Sequence, residues 1–352
     1  MVRLGIAGMG YIGRVHYEAA RKLPGVQVIA ASSSRGEELR TLCPDLEILP
    51  TYDALLADAR IDAIVVAVPT FVHEEYVIRA AEAGRHVLCE KPLTLNAPSA
   101  ARIVDAVNRA GVTCMVAQVL RFWPEYVQLK AYSDEGLLGK ILSVRAFRLN
   151  PRPVRSKWLD SAEQSGGCLL DLQVHDVDFV FWLLGRPLEV QSWGMKSKSG
   201  RWDQVHTVLT YSGTVVSIEA SHLMPAGWPH TSGIRAVGSS AAFEYTFRSG
   251  DDMRGRKHSI SVASFYAGDG STNKLHTSKR DMFVAQLEYF VECLRKRSQP
   301  TVCPLEESHE VMRIMDALQQ SAETGKGVKL REFNDSHDIQ IKQPTEVSAH
   351  GQ

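Results

Sequence analysis

Asp171, His175 and Asp178 recur at i, i+4 and i+7 in the stretch Gly166–Gly185, among leucine, valine, phenylalanine and tryptophan residues. On one helix that spacing stacks the three polar side chains in a single stripe. Two carboxylates and an imidazole are costly to bury beside apolar neighbours unless they pair, and a paired, perturbed histidine is a natural proton shuttle near neutral pH. A structural His–Asp pair would show the same spacing, so the assignment depends on what else faces the stripe. A second group with chemical potential is Glu90-Lys91-Pro92, which follows the apolar run His86–Cys89. A lysine at a strand end is often only a solvated cation; a cis bond before Pro92 would aim Lys91 inward.

The elements that must bring these residues together begin at the N-terminus. Leu4 to Ala7 read as a short buried strand, and Gly8-x-Gly10-x-x-Gly13 follows at once. Glycines at that spacing supply a tight turn, a close backbone approach to a pyrophosphate and close helix–strand packing. Ile12, Val15, Ala19 and Leu23 then recur at helical intervals, so a helix opens in the turn and directs its unpaired N–H groups at bound phosphates. Gly8, Gly10, Tyr11, Ile12 and Gly13 are therefore assigned to a dinucleotide cofactor. An NAD-specific site wants Asp or Glu about 20 residues beyond the last glycine, at the end of the second strand. Here Ser32-Ser33-Ser34-Arg35 stands instead, which favours NADP(H): the hydroxyls and Arg35 can bind a 2′-phosphate, and no carboxylate repels it. NAD(H), held through other contacts, is the alternative.

Short apolar runs near Arg3–Ala7, Val26–Ser32, Ile48–Leu49, Ala63–Val68, His86–Cys89 and Thr113–Val119 alternate with helical patterns, the signature of a parallel sheet with crossover helices. In such sheets the carboxyl ends of the strands line the ligand crevice, so Pro69, Thr70, His73, Glu90 and Lys91 are candidates to touch cofactor or substrate. Asn96 before Ala97-Pro98-Ser99 predicts a helix N-cap. From Ile141 the chain changes to longer alternating segments, Ile141–Leu149, Glu189–Met195, Val205–Tyr211, Val215–His222, Ile234–Phe247 and Ser259–Phe265, interrupted by a helix over Cys168–Leu184 and followed by helices over Arg280–Lys296 and Leu305–Glu323. The expected fold is an α/β N-terminal Rossmann domain over 1–120 plus an α+β C-terminal domain over 121–330 with a mostly antiparallel open sheet; 331–352 read as a polar, disordered tail.

Composition narrows the partners. The 352 residues carry 40 Lys plus Arg against 40 Asp plus Glu, so no global field favours nucleic acid or a membrane surface, and no apolar run approaches a membrane span. The six cysteines show no metal-type spacing, and Met1 leads directly into the first strand, which together predict reduced thiols in a cytoplasmic chain. One face of the C-terminal sheet has no obvious helical cover, which predicts a homodimer or homotetramer.

Gly8-x-Gly10-x-x-Gly13, Pro69-Thr70-x-x-His73, Glu90-Lys91-Pro92 and Asp171-x-x-x-His175 together closely resemble the glucose-fructose oxidoreductase, inositol dehydrogenase and rhizopine catabolism (Gfo/Idh/MocA) family over about Met1–Leu330. The resemblance implies that Lys91 faces the nicotinamide and the reacting hydroxyl. It implies an NAD(P)-dependent oxidoreductase acting on a secondary alcohol or ketone of a sugar, inositol or related polyol. His175 is then the base for oxidation and the acid for reduction, Asp171 orients it and supports its charged form, and no metal is required. Many members carry asparagine where this chain has Val119, so one polar cofactor or substrate contact is expected to be lost or replaced by Gln118, with Arg121 retained as a substrate candidate. The loop Arg152–Trp158 resembles the family's basic, aromatic loop over the substrate, which makes Arg152 and Trp158 substrate candidates. Relatives that cleave glycosidic bonds by transient oxidation, and non-catalytic sensors of the same fold, are the alternatives.

Overall fold

The computed structural model describes residues 1–33, 36–153, 156–251, 257–275 and 278–330; Ser34, Arg35 and the 331–352 tail lie outside the described residues. Six parallel strands, β1 (Val2–Ala7), β2 (Val26–Ser32), β3 (Glu47–Leu49), β4 (Ala63–Val66), β5 (His86–Cys89) and β6 (Cys114–Val116), form a sheet in the order β3-β2-β1-β4-β5-β6. The crossovers carry α1 (Tyr11–Arg21), α2 (Gly36–Leu42), α3 (Tyr52–Ala57), α4 (His73–Glu82) and α5 (Ala97–Ala110). The order reverses between β1 and β4, and that switch point is where a doubly wound sheet opens a crevice at its strand ends. The predicted cap of α5 is present: the Asn96 side-chain oxygen accepts from the Ser99 N–H at 2.9 Å.

The second part comprises α6 (Pro124–Asp134), β7 (Ile141–Pro151), α7 (Ala162–Ser165), α8 (Gly167–Asp171), α9 (Gln173–Leu184), β8 (Glu189–Lys196), β9 (Trp202–Tyr211), β10 (Thr214–Met224), β11 (His230–Gly238), β12 (Ala241–Asp251), β13 (Lys257–Ala267), β14 (Thr272–Leu275), α10 (Met282–Lys296), α11 (Leu305–Thr324) and β15 (Val328–Lys329). Its nine-stranded sheet runs β14-β13-β12-β11-β7-β10-β9-β8-β15, with every pairing antiparallel except β7–β10. Helices cover one face. The other carries exposed Val215, Leu223, Ile260, Val262 and Tyr266 at alternate strand positions. One buried apolar cluster runs from Ile64 and Val66 to Val177, Phe179 and Ile218, so the two parts share a core along the site. A second cluster joins Leu4 and Ile6 to Leu287 and Phe290, which packs the late helix α10 back on the first sheet.

Three elements differ from the sequence expectation. Ile234–Phe247 is a hairpin, not one strand, because Gly238 sits where a Cβ would meet the Leu138 carbonyl oxygen at 2.0 Å and the Ser239 and Ser240 N–H groups bond to Lys140 and Leu138 carbonyls. The sixth strand ends at Val116 and passes into a 3₁₀ turn over Val119–Phe122. The Cys168–Leu184 helix is interrupted at Leu172, where the His175 N–H reaches back to the Leu172 carbonyl at 3.4 Å. Asp171 therefore closes one helix while His175 stands in the first turn of the next.

Candidate active site

The glycine turn is shaped by contacts that only glycine allows. Gly8 has φ +91°, and a Cβ there would lie 2.5 Å from the Ala67 carbonyl oxygen; at Gly13 it would lie 2.0 Å from that of Gly8. Gly10 is different, since a Cβ there meets nothing within 4 Å among the described residues. The first and third glycines thus bring β1, β4 and α1 together, while the second opens onto the cavity. No side chain among the described residues caps α1, so its first N–H groups are left for a ligand.

A cavity of about 870 Å³ begins at this turn. Gly8, Gly10, Tyr11 and Ile12 line its start, with Ser32 and Ser33 at the end of β2. Tyr52 and Tyr76, stacked at 4.1 Å between ring centroids, form a wall that sequence reasoning did not single out. Pro69 and Thr70 continue the lining, and the far end holds Lys91, Asp171, His175 and Trp158. The residues present fit a dinucleotide: a turn open at Gly10, an uncapped helix N-terminus, and a continuous path to titratable side chains.

At that far end the Lys91–Pro92 bond is cis. The Lys91 ammonium donates to the Asp171 carbonyl oxygen at 2.8 Å and to its carboxylate at 3.1 Å, joining the end of β5 to the end of α8. This alters the expected role of Asp171: among the described residues its carboxylate is held by Lys91 and makes no hydrogen bond to His175. His175 Nδ1 is buried with no partner among the described residues, which leaves Nε2 as the ring nitrogen available to a ligand. Burial, reinforced by the positive charges of Lys91 and Arg148, holds the His175 imidazole well below its ordinary pKa. The ring is neutral at pH 7 and able to accept a proton.

Asp178 does not share the stripe. It forms a two-pronged pair with Arg121 at 2.9 and 2.8 Å, both side chains 1% exposed, and Arg121 also binds Glu307 and the Val302 carbonyl. Arg121 is thereby corrected from substrate contact to buried tie between the domains. Gln118 is likewise corrected: it is buried and absent from the cavity lining, where Ala117 and Val119 stand. Arg152 turns away to Asp203 at 3.0 Å, whereas Trp158 of the same loop does line the cavity. His73 lines the cavity, but its two ring nitrogens lie 2.9 Å from the Pro92 and Val68 carbonyls; it clasps two strand-end loops. Glu90 also reaches the cavity while its carboxylate is engaged by His16 at 2.7 Å.

Two histidines near the reacting end carried no sequence signal. His222 lies on β10, and His230, at the start of β11, has Nδ1 2.7 Å from the Asn150 amide oxygen. Burial pushes both down to about 4. They stand on strands far from any motif, so only the sheet register brings them to the site.

Fold and site define a two-domain protein with a dinucleotide-binding Rossmann domain. Residues 2–118 match the family model described as an oxidoreductase family with NAD-binding Rossmann fold, and 126–244 match the C-terminal domain of the same family. The D-xylose 1-dehydrogenase (NADP(+)) 2 of Haloferax volcanii is 31% identical over 91% of this chain and 99% of its own. The myo-inositol 2-dehydrogenase of Thermotoga maritima is 28% identical over 94% and 99%. In fold, the chain superposes on the aldose-aldose oxidoreductase of Caulobacter crescentus with TM-score 0.81, at 20% identity over 93% of this chain and 99% of that one. The chain belongs to the Gfo/Idh/MocA family of oxidoreductases.

Proposed function

We propose that this protein is an NAD(P)-dependent dehydrogenase that oxidises a secondary alcohol of a sugar or polyol, or reduces the corresponding ketone, with NADP(H) preferred. The observation that carries the reading is the convergence of Lys91, Asp171 and His175 at the end of a cavity that starts at an open glycine turn. Gly8 to Ile12 would hold the pyrophosphate, and Ser32 and Ser33 would meet the adenosine ribose; when bound, the nicotinamide accepts or returns the hydride. His175 takes the hydroxyl proton through Nε2, which its neutral state permits. Lys91 donates to the reacting oxygen and offsets its developing negative charge, while Asp171 holds the ammonium in place from the second domain. The dehydrogenase names of the relatives support this reading over glycosidic cleavage or sensing. The exposed apolar positions Val215, Ile260 and Val262 on the uncovered sheet face support self-association.

The test is a panel of inositols, aldoses and their oxidised forms, assayed for absorbance change of free NADP and NAD. Turnover with a neutral polyol, faster with NADP, is expected. Cofactor that stays bound and unchanged across the panel would overturn the assignment.

A further inference from the structure

His16 lies in the middle of α1, the helix that opens in the glycine turn, and is 1% exposed. Its one polar contact is with Glu90: Nε2 stands 2.7 Å from Oε1, while Nδ1 is buried without a partner among the described residues. A carboxylate only accepts, so the imidazole donates from Nε2. The other Glu90 oxygen accepts from the backbone N–H of Lys91 at 3.1 Å. Glu90 is itself 7% exposed, so both bonds form away from bulk water, where losing a partner is expensive.

Lys91 is therefore held at both ends. Its tip is fixed by Asp171 from the second domain, and its backbone by a carboxylate that α1 in turn holds through His16. We propose that His16 is a positioning residue for Lys91, acting through the Glu90 carboxylate. Without the imidazole N–H, Glu90 loses its anchor on α1 and can rotate away from the Lys91 N–H. The ammonium then departs from Asp171 and from the reacting oxygen. A donor of similar reach at position 16 preserves the arrangement; an apolar side chain of similar size does not.

The proposal rests on the role given to Lys91 above for its kinetic arm only, so a second readout is taken on the free protein. Wild type, His16→Leu, His16→Gln and Glu90→Gln are labelled with limiting acetic anhydride, and acetylation of Lys91 is measured against the other lysines by peptide mass spectrometry. Lys91 labelling should rise at least about threefold in His16→Leu, as expected for loss of one buried hydrogen bond, and return close to wild type in His16→Gln. Glu90→Gln, which presents an amide N–H to one of the two donors, should behave like His16→Leu and reads the same contact should that variant not fold. In turnover, His16→Leu should lower kcat with little change in the KM for cofactor, and His16→Gln should restore it. Wild-type labelling of Lys91 in both His16→Leu and Glu90→Gln, or a glutamine variant no better than leucine, would overturn the proposal. Absence of any cofactor-linked turnover by wild type would refute the functional reading and leave the labelling to decide this one.

Discussion

The Lys91 ammonium and the Asp171 carboxylate meet at 3.1 Å across the two domains, and this pair, not an Asp171–His175 pair, sets the charge beside the imidazole. Lys91 is among the charges that hold His175 below its ordinary pKa. Replacing Lys91 by Met removes that charge, so the imidazolium becomes easier to form. The rising limb of kcat/KM for oxidation should move to higher pH by on the order of one unit, while the plateau falls. Asp171→Asn leaves the ammonium unneutralised and should move the limb the other way. Profiles of both variants that overlay wild type in position would show that this pair does not act on the proton acceptor.

The three glycines separate binding from folding. Alanine at Gly13 would place its Cβ 2.0 Å from the Gly8 carbonyl oxygen, so Gly13→Ala should lower Tm as well as cofactor affinity. Alanine at Gly10 meets nothing within 4 Å among the described residues and keeps an ordinary φ. Gly10→Ala should therefore leave Tm nearly unchanged while weakening cofactor binding about tenfold or more, because the methyl occupies the approach of the pyrophosphate. Equal affinity of Gly10→Ala and wild type, measured by NADPH fluorescence, would place the phosphates elsewhere.

Ser33 lies in the cavity at the end of β2. A carboxylate there would repel a 2′-phosphate and accept from free ribose hydroxyls. Since a hydrogen bond to a charged group is worth about 1.5–3 kcal/mol, Ser33→Asp should lower the NADP/NAD ratio of kcat/KM at least about tenfold. An unchanged ratio would remove this loop from cofactor choice.

The parts of the fold that depend on short-range pattern were readable from the chain: the glycine turn, the parallel strands, and the Asn96 cap, which needs only residues three apart. The cluster Lys91, Asp171 and His175 was readable because each lies in a compact motif. What the spacing could not show was the pairing. The break at Leu172 takes Asp171 and His175 off a common helix, and Asp178 turns to Arg121, a partner 57 residues away. Arg121 was misread for the same reason, since a cation beside a strand end looks alike whether it meets substrate or a buried carboxylate. His222 and His230 reach the site only through the register of β10, β7 and β11, which no local pattern encodes.

The Arg121–Asp178 pair gives the converse test, because both side chains are 1% exposed and neither lines the cavity. Removing one partner of a buried pair leaves a bare charge and costs about 3–5 kcal/mol. Arg121→Met should lose stability of that order in urea unfolding while the substrate KM of the folded fraction changes less than about threefold. A large rise in KM with unchanged stability would return Arg121 to the substrate site.

His222 and His230 supply a prediction about acid. Burial pushes both from the ordinary 6.5 to about 4, so between these values the unfolded chain binds a proton at each position and the folded chain does not. Stability then rises with pH across that window: their contribution is complete above about pH 6.5 and is lost as pH falls toward about 4. Each histidine steepens the dependence by up to about 1.4 kcal/mol per pH unit. His175, also held low by burial, acts in the same direction. Burial raises the carboxyls of Asp176 and Asp178, which opposes the trend at lower pH, but these groups are common to wild type and variant. Comparing unfolding free energies of wild type and His230→Gln between about pH 7 and about pH 5 isolates the histidine, and the variant's slope should be shallower by about 1 kcal/mol per pH unit. Equal slopes would mean that His230 takes up its proton in the folded enzyme at the same pH as in the unfolded chain, and that burial does not hold the ring neutral.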